Sequence, residues 1–436
     1  MSGNTVKLWQ PLYDEHTGLP SHPCSSQDKR ASLNSPRRSA PINVFSRQGL
    51  PIFATFLTWG TGSGAQTLAR PLFAYFISGG SIFLVTFLIS ALAALRMFTG
   101  PLTGFLTDHW GRKPMAVTGA FLRGSASFAV LFVDNYAQFF VLEMVGAVGV
   151  SMWQTTSQVM VADMSTPENR GKAVAARNTS LRLGQIFGPI LGGGIAAIWG
   201  LQAVFVINGI TKYIVMVVTF RLVAETRPSE TSDKRRQIRT SPRGMILKIL
   251  ALRGFTALAI TTVAVSLMNQ GVFMTLFPIA AQSEAGLNDA QVGSLLSIAG
   301  VVTLLASFPN GMFVDRYGRK RSLVAGLLIA AIAGVLLVFV ADFQTALIAA
   351  LVFGLAQAIN MGANQAFAMD LAPENERGAF LGVWTLFQSL GAFIGPLMAG
   401  AIVEVWGFDA AFYFVAALLV AAALAMAIIG PETRKR

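Results

Sequence analysis

From Leu50 onward the chain alternates long apolar stretches with short polar breaks. Twelve stretches are predicted, at 50–77, 82–105, 115–133, 137–163, 173–198, 201–222, 248–281, 289–313, 322–340, 343–371, 376–403 and 408–430. Each is about 20 residues or longer, enough for a helix to cross roughly 30 Å of hydrocarbon. Lipid offers the backbone no partners, so each span must satisfy its own hydrogen bonds as a helix. The pattern therefore predicts an all-α membrane protein of twelve transmembrane helices. Segment 1–48, rich in Ser, Pro, Arg and Lys, reads as a disordered tail and holds no apolar core of signal-peptide length. Segment 223–247 reads as a central loop between a bundle at 49–222 and a second at 248–430, and 431–436 as a short tail. Residues Pro242 to Arg253 read as the start of an interfacial amphipathic helix.

Basic residues orient the spans. Of the 33 Lys and Arg, 27 lie before Leu50, in or at the edges of the breaks after spans 2, 4, 6, 8 and 10, or at the C-terminus. The opposite breaks hold none. The positive-inside rule then places both termini and the central loop in the cytoplasm, for a protein of the cell (inner) membrane. The net charge of +12 is thus a topology signal beside anionic lipid, and no nucleic-acid partner is expected. Composition agrees: 53% hydrophobic and only 12% charged, against roughly 25% charged in soluble domains. That excludes a soluble enzyme and a disordered chain. The single cysteine, Cys24, excludes an internal disulfide.

The chain also contains itself twice. Gly104, Asp108, Gly111, Arg112 and Lys113 recur 207 residues later as Gly311, Asp315, Gly318, Arg319 and Lys320. The same offset maps Asp163, Arg170 and Gly171 onto Asp370, Arg377 and Gly378, and Gly184, Gly188, Pro189 and Gly193 onto Gly391, Gly395, Pro396 and Gly400. Trp199-Gly200 returns as Trp406-Gly407, and Glu225-Thr226-Arg227 as Glu432-Thr433-Arg434. One gapless offset implies two six-helix halves. Because six is even, they share an orientation and an axis along the membrane normal, with a cavity between them for alternating access.

Gly104-Phe-Leu-Thr-Asp108-His-Trp-Gly111-Arg112-Lys113 resembles the signature loop between helices 2 and 3 of the major facilitator superfamily, and 311–320 resembles its copy between helices 8 and 9. Gly184, Gly188, Pro189, Gly192 and Gly193 resemble the helix-5 signature of its drug/proton antiporter branch. The resemblance covers about 50–430. It implies two pseudo-symmetric six-helix bundles and a gate at the cytoplasmic mouth, where Arg112 pairs with Asp108 or Asp163, and Arg319 with Asp315 or Asp370. Such pairs latch the inner face and break when it opens. Gly111 and Gly318 supply backbone angles closed to other residues in the tight turns. The glycines of span 5 recur every four residues as a strip for close packing, and Pro189 bends that span. A bend limiting ion leak is a further implication of the antiporter resemblance.

Away from the span edges six cations lie inside the spans, Arg70, Arg96, Arg123, Arg177, Arg182 and Lys212, all in the first half; their offset positions carry no charge. A mid-membrane charge costs at least about 2.5–3.5 kcal/mol, so each needs a partner or a wet cavity. Arg70 and Glu143 sit at similar depth in spans 1 and 4 and are matched for an ion pair. Glu143 is then either a proton-coupling acid or a structural partner. Many proton-coupled antiporters of the superfamily carry an acid in helix 1; this chain has none there. Trp59, Gly62, Gln66 and Arg70 share a helical face, the leading substrate wall. Asn178, Arg182 and Gln185 form a second stripe, and Asn208 with Lys212 a weaker third, since Lys212 can snorkel. In the second half Asn269, Gln270, Asn360, Asn364, Gln365, Trp384 and Gln388 offer hydrogen bonds to a polar substrate or between helices. Glu404 reads as solvated.

No phosphate-binding loop is present, so transport is expected to run on a gradient. His16, His22 and His109 lie outside the spans and make no recognisable metal site. The expectation is a monomeric secondary transporter, not an enzyme, without cofactor or metal, exporting small organic compounds in exchange for protons. Uptake or flipping of an organic anion or lipid is the first alternative, and a non-transporting receptor or polytopic enzyme the second.

Overall fold

A computed structural model describes residues 50–165, 169–223, 225, 248–252, 254–373 and 377–432. All regular structure among them is helical. The first half contains α1 (Leu50–Ile77), α2 (Ile82–Trp110), α3 (Arg112–Ala129, extended by the 3₁₀ turn Val130–Phe132), α4 (Tyr136–Met164), α5 (Arg170–Trp199) and α6 (Leu201–Leu222). The second half contains α7 (Phe255–Ser283), α8 (Asp289–Tyr317), α9 (Arg319–Val338) and α10 (Phe343–Leu371). Arg377–Ile429 follows, helical except at Gly407 (φ 81°, ψ 174°), where the chain turns and separates α11 (377–406) from α12 (408–429). Among the described residues ten helices, counting Arg377–Ile429 as one, are long and apolar enough to cross a bilayer. With α1 and the division at Gly407 the described residues form twelve helices in a membrane-embedded all-α fold. The 1–48 tail, Cys24, His16, His22, nearly all of the central loop, and Thr226-Arg227 with Thr433-Arg434 lie outside the described residues. Of the expected interfacial helix only 248–252 is described, with one helical turn at 248–250.

Three boundaries differ from the hydropathy pattern for physical reasons. Helices α2 and α8 run on past 105 and 313 to Trp110 and Tyr317, because a helix leaving the hydrocarbon no longer needs apolar residues. The span expected from 248 begins only at Phe255, after Gly254 turns the chain at φ 97°. Inside α7, Met268–Leu276 is π-helical, so the hydroxyl of Thr275 donates to the carbonyl of Gln270 at 2.6 Å.

Small residues set the packing of α5 on α1. A Cβ at Gly188 would lie 2.6 Å from Gly64 Cα, and one at Gly184 would lie 2.4 Å from the Leu57 carbonyl. Conversely, one at Gly60 would lie 2.3 Å from the Leu181 carbonyl. The glycine strip therefore brings two backbones together, as van der Waals packing in lipid favours. In the second half Gly395 meets α7 at Leu267 by the same device.

Candidate functional site

Both signature turns reduce to a single residue. Gly111 (φ 100°) joins α2 to α3, and Gly318 (φ 94°) joins α8 to α9; these turns define the motif face of the molecule. Each precedes an arginine held by three carboxylates. Arg112 lies 3.2 Å from both Asp108 and Asp163, while its backbone N–H donates to Glu225 at 2.9 Å. Arg319 repeats this with Asp315 (3.2 Å), Asp370 (3.0 Å) and, through its N–H, Glu432 (3.1 Å). Glu225 also accepts from the Lys113 N–H, so it caps α3 at the positive end of the helix dipole. A Cβ on Gly111 would lie 2.8 Å from that carboxylate, a second reason for glycine besides the backbone angle. Glu225 and Glu432 were visible only as one more matched pair in the repeat. Each of these ion pairs joins helices of one bundle.

The α1 stripe turns into the first bundle rather than toward a cavity. Trp59 is buried and stacked on Trp153, with centroids 3.8 Å apart. Glu143, 2% exposed, accepts from Gln66 Nε2 (2.9 Å), Arg70 Nε (2.8 Å) and Arg123 Nη1 (3.3 Å). Arg123 also donates to the Gln66 side-chain oxygen, as does Asn208 at 2.9 Å. The pair matched by depth is thus half of a buried network completed by Arg123. Lys212 does not snorkel: fully buried, it donates to the Trp59 carbonyl (2.8 Å) and Ser63 Oγ (3.0 Å) and lies 4.3 Å from the Trp59 ring centroid. Arg177 donates to Ser157 Oγ at 3.0 Å and to the Gln154 carbonyl, tying α5 to α4.

A cavity of about 680 Å³ lies between the halves, and among the described residues its walls come from α2, α5, α7, α10 and α11. Asn178 and Arg182 of the α5 stripe line it; Gln185, also exposed, is not part of its wall. Arg96 faces it from α2. From the second half come Asn269 and Gln270 in the π-helical stretch, Asn364 on α10, and Trp384 and Gln388 on α11. Trp384 Nε1 donates to Thr262 Oγ1 at 2.9 Å, which fixes the indole in the wall. Asn360 instead donates to the Gly326 carbonyl at 2.9 Å and holds α10 to α9. Gln365 on α10 also lines it, and Thr262, Ser266, Gln357 and Ser389 complete the polar lining; as isolated hydroxyls and an amide these four carried no distinguishing sequence pattern.

The lining lies in the half nearer the motif face, and close contacts seal the opposite end. A Cβ on Gly193 would lie 3.1 Å from Gly293 Cα, and one on Gly400 would overlap Thr86. These contacts are twins under the 207-residue offset. Ile190 N–H donates to Ser297 Oγ at 2.9 Å, and Glu404 accepts from Phe83 N–H at 3.3 Å, again across the halves. Glu404 is exposed, yet it is not only solvated. The cavity therefore faces the motif side, with the Arg112 and Arg319 clusters intact. Those pairs brace single bundles here, and their formation does not require a closed motif face.

Residues 52–269 and 259–436 each match the family model described as Major Facilitator Superfamily. Multidrug resistance protein MdtG of Dickeya zeae is 26% identical over 346 residues, covering 78% of this chain and 81% of that protein. The Escherichia fergusonii protein of the same name is 25% identical over 343 residues, with the same coverage. Among solved structures, a D-xylose-proton symporter superposes with a TM-score of 0.71 at 18% identity, over 88% of this chain and 98% of that one. Twelve spans, doubled signature turns and matches over both halves agree: the chain is an integral membrane transporter belonging to the Major Facilitator Superfamily.

Proposed function

We propose that this transporter exports small, drug-like organic compounds from the cytoplasm by alternating access, in exchange for protons. The observation that carries the reading is the polar cavity between two offset-matched bundles, facing the basic, motif-bearing side and sealed on the other. With the positive-inside rule, that side is the cytoplasm, so the state described is the one that loads substrate for export. Similarity over most of the chain to proteins named for multidrug resistance supports the direction. The inner membrane is then the site of action.

Glu143 is the one fully buried carboxylate among the described residues, and hence the acid available to carry a proton through the bundle interior. Its contacts with Arg70 and Arg123 link any change in its charge to the packing of α1 against α3 and α4. The test uses purified protein in liposomes with an imposed pH gradient and a panel of drug-like compounds. Proton-driven efflux is expected from the native protein. Glu143→Gln is expected to keep substrate counterflow while losing the response to the gradient. Native protein indifferent to the gradient contradicts proton exchange; unchanged coupling in Glu143→Gln removes Glu143 from it.

A further inference from the structure

We propose that the cavity is an anion clamp: Arg96 of α2 and Arg182 of α5 hold the carboxylate, sulfonate or phosphonate head of an organic acid, and the compounds carried are amphipathic anions. The inference rests on the export reading above and names its substrate class.

Charge is the first support. The described wall contains two guanidinium groups and no Asp or Glu. A cationic compound would meet like charge there, while an anion supplies what the wall lacks. The second support is the state of these two groups, both exposed to the cavity, compared with the other cations inside the spans. Arg70, Arg123, Arg177 and Lys212 all donate to protein acceptors inside the first bundle. Arg96 uses only Nε, on the Leu92 carbonyl of its own helix at 3.2 Å, which leaves both Nη groups for the cavity. Arg182 has no hydrogen bond or ion pair to any described residue. It stands twelve residues into α5, about 18 Å along the helix from Arg170, where hydrocarbon tolerates no bare charge. A planar guanidinium left open beside a cavity suits a bidentate oxyanion.

The third support is asymmetry. The offset twin of Arg182 is Ser389, which lines the same cavity from α11, and the twin of Arg96 is Thr303. The duplicated scaffold is complete without either charge, so these cations are additions to it. Opposite them, Met361 and the anchored ring of Trp384 offer apolar contact to the body of the ligand, and the amides of Asn269 and Gln270 offer hydrogen bonds.

The experiment measures equilibrium binding of three probes with one ring system to the purified full-length protein: 2-naphthoate, 2-naphthamide and a naphthyl-trimethylammonium salt. Naphthoate is expected to bind at least tenfold more tightly than the amide, and the ammonium probe more weakly still. Arg182→Gln and Arg96→Gln are each expected to erase the preference for naphthoate over the amide, while Arg182→Lys, which keeps the charge but not the fork, retains part of it. Thermal unfolding of each variant confirms that it is folded. Absent naphthoate binding, equal binding of acid and amide, or a preference that survives both Gln variants would overturn the clamp. Liposome flux separates this from the broader reading. Proton-driven transport of the amide or ammonium probe without naphthoate binding leaves export standing and removes the clamp. Naphthoate binding without flux of any probe leaves the clamp and removes export.

Discussion

Glu143 accepts hydrogen bonds from Gln66, Arg70 and Arg123, and the two arginines differ in how much they depend on it. The Arg123 side chain is 2% exposed and the Arg70 side chain 23%. Breaking a buried pair from one side costs on the order of 3–5 kcal/mol, because the remaining charge is stranded. Arg123→Gln still leaves Glu143 paired to Arg70, whereas Glu143→Gln strands both cations. Thermal unfolding in detergent is expected to rank Glu143→Gln as most destabilised, Arg123→Gln next and Arg70→Gln least. Equal losses would show that the network does not act as described. At the opposite surface, burial and the nearby Asp409 carboxylate push the Glu284 carboxyl up. A raised folded-state value favours the protonated form, so stability is expected to rise as pH falls through it, and Glu284→Gln to remove that rise. The Arg70–Glu143 contact was legible because depth along two apolar spans can be counted. Arg123 was not matched, since depth alone does not say which faces of three helices converge.

Helix faces show the same limit more generally. Spacing put Trp59, Gln66 and Arg70 on one face, and so they are, but a polar face can point to a cavity or into a bundle of other polar groups. Here Glu143, Asn208 and Lys212 inside the first bundle supply partners, and the face turns to them. The α5 stripe divides in the other direction, with Asn178 and Arg182 at the cavity. The glycine strip was fully legible, because only close backbone approach explains glycine every fourth residue. Gly188→Ala is expected to force α5 from α1 at a cost of about 1–3 kcal/mol. Gly194→Ala, where a Cβ meets nothing within 4 Å, is expected to be neutral or stabilising by up to about 1 kcal/mol. Chemical or thermal unfolding of the two variants compares them directly; equal effects would mean that the strip is not a packing surface. Likewise Glu225→Gln is expected to weaken the cap on α3 by about 1 kcal/mol, with Glu432→Gln its counterpart on α9.

At the scale of the molecule, the 207-residue offset carries over from sequence to contacts. It relates the two single-glycine turns, the two arginine clusters, and the paired seals of Gly193 with Gly293 and Gly400 with Thr86. What the offset does not predict is which face is open, since both halves carry the same contacts and the choice depends on how they tilt. A transporter that exposes one cavity to either side must break the twin seals together while the motif-side halves of α5 and α11 approach. Two distances read this out. With the single cysteine Cys24 replaced by serine, spin labels at Trp199→Cys and Trp406→Cys report the sealed end, and labels at Lys172→Cys and Arg377→Cys the motif end. Pulsed electron resonance in nanodiscs, with and without transported substrate and across pH, is expected to show two populations in which one distance lengthens as the other shortens. Distances that stay fixed, or that change in the same sense, under conditions where the labelled protein still transports would contradict movement of two rigid bundles about a shared cavity.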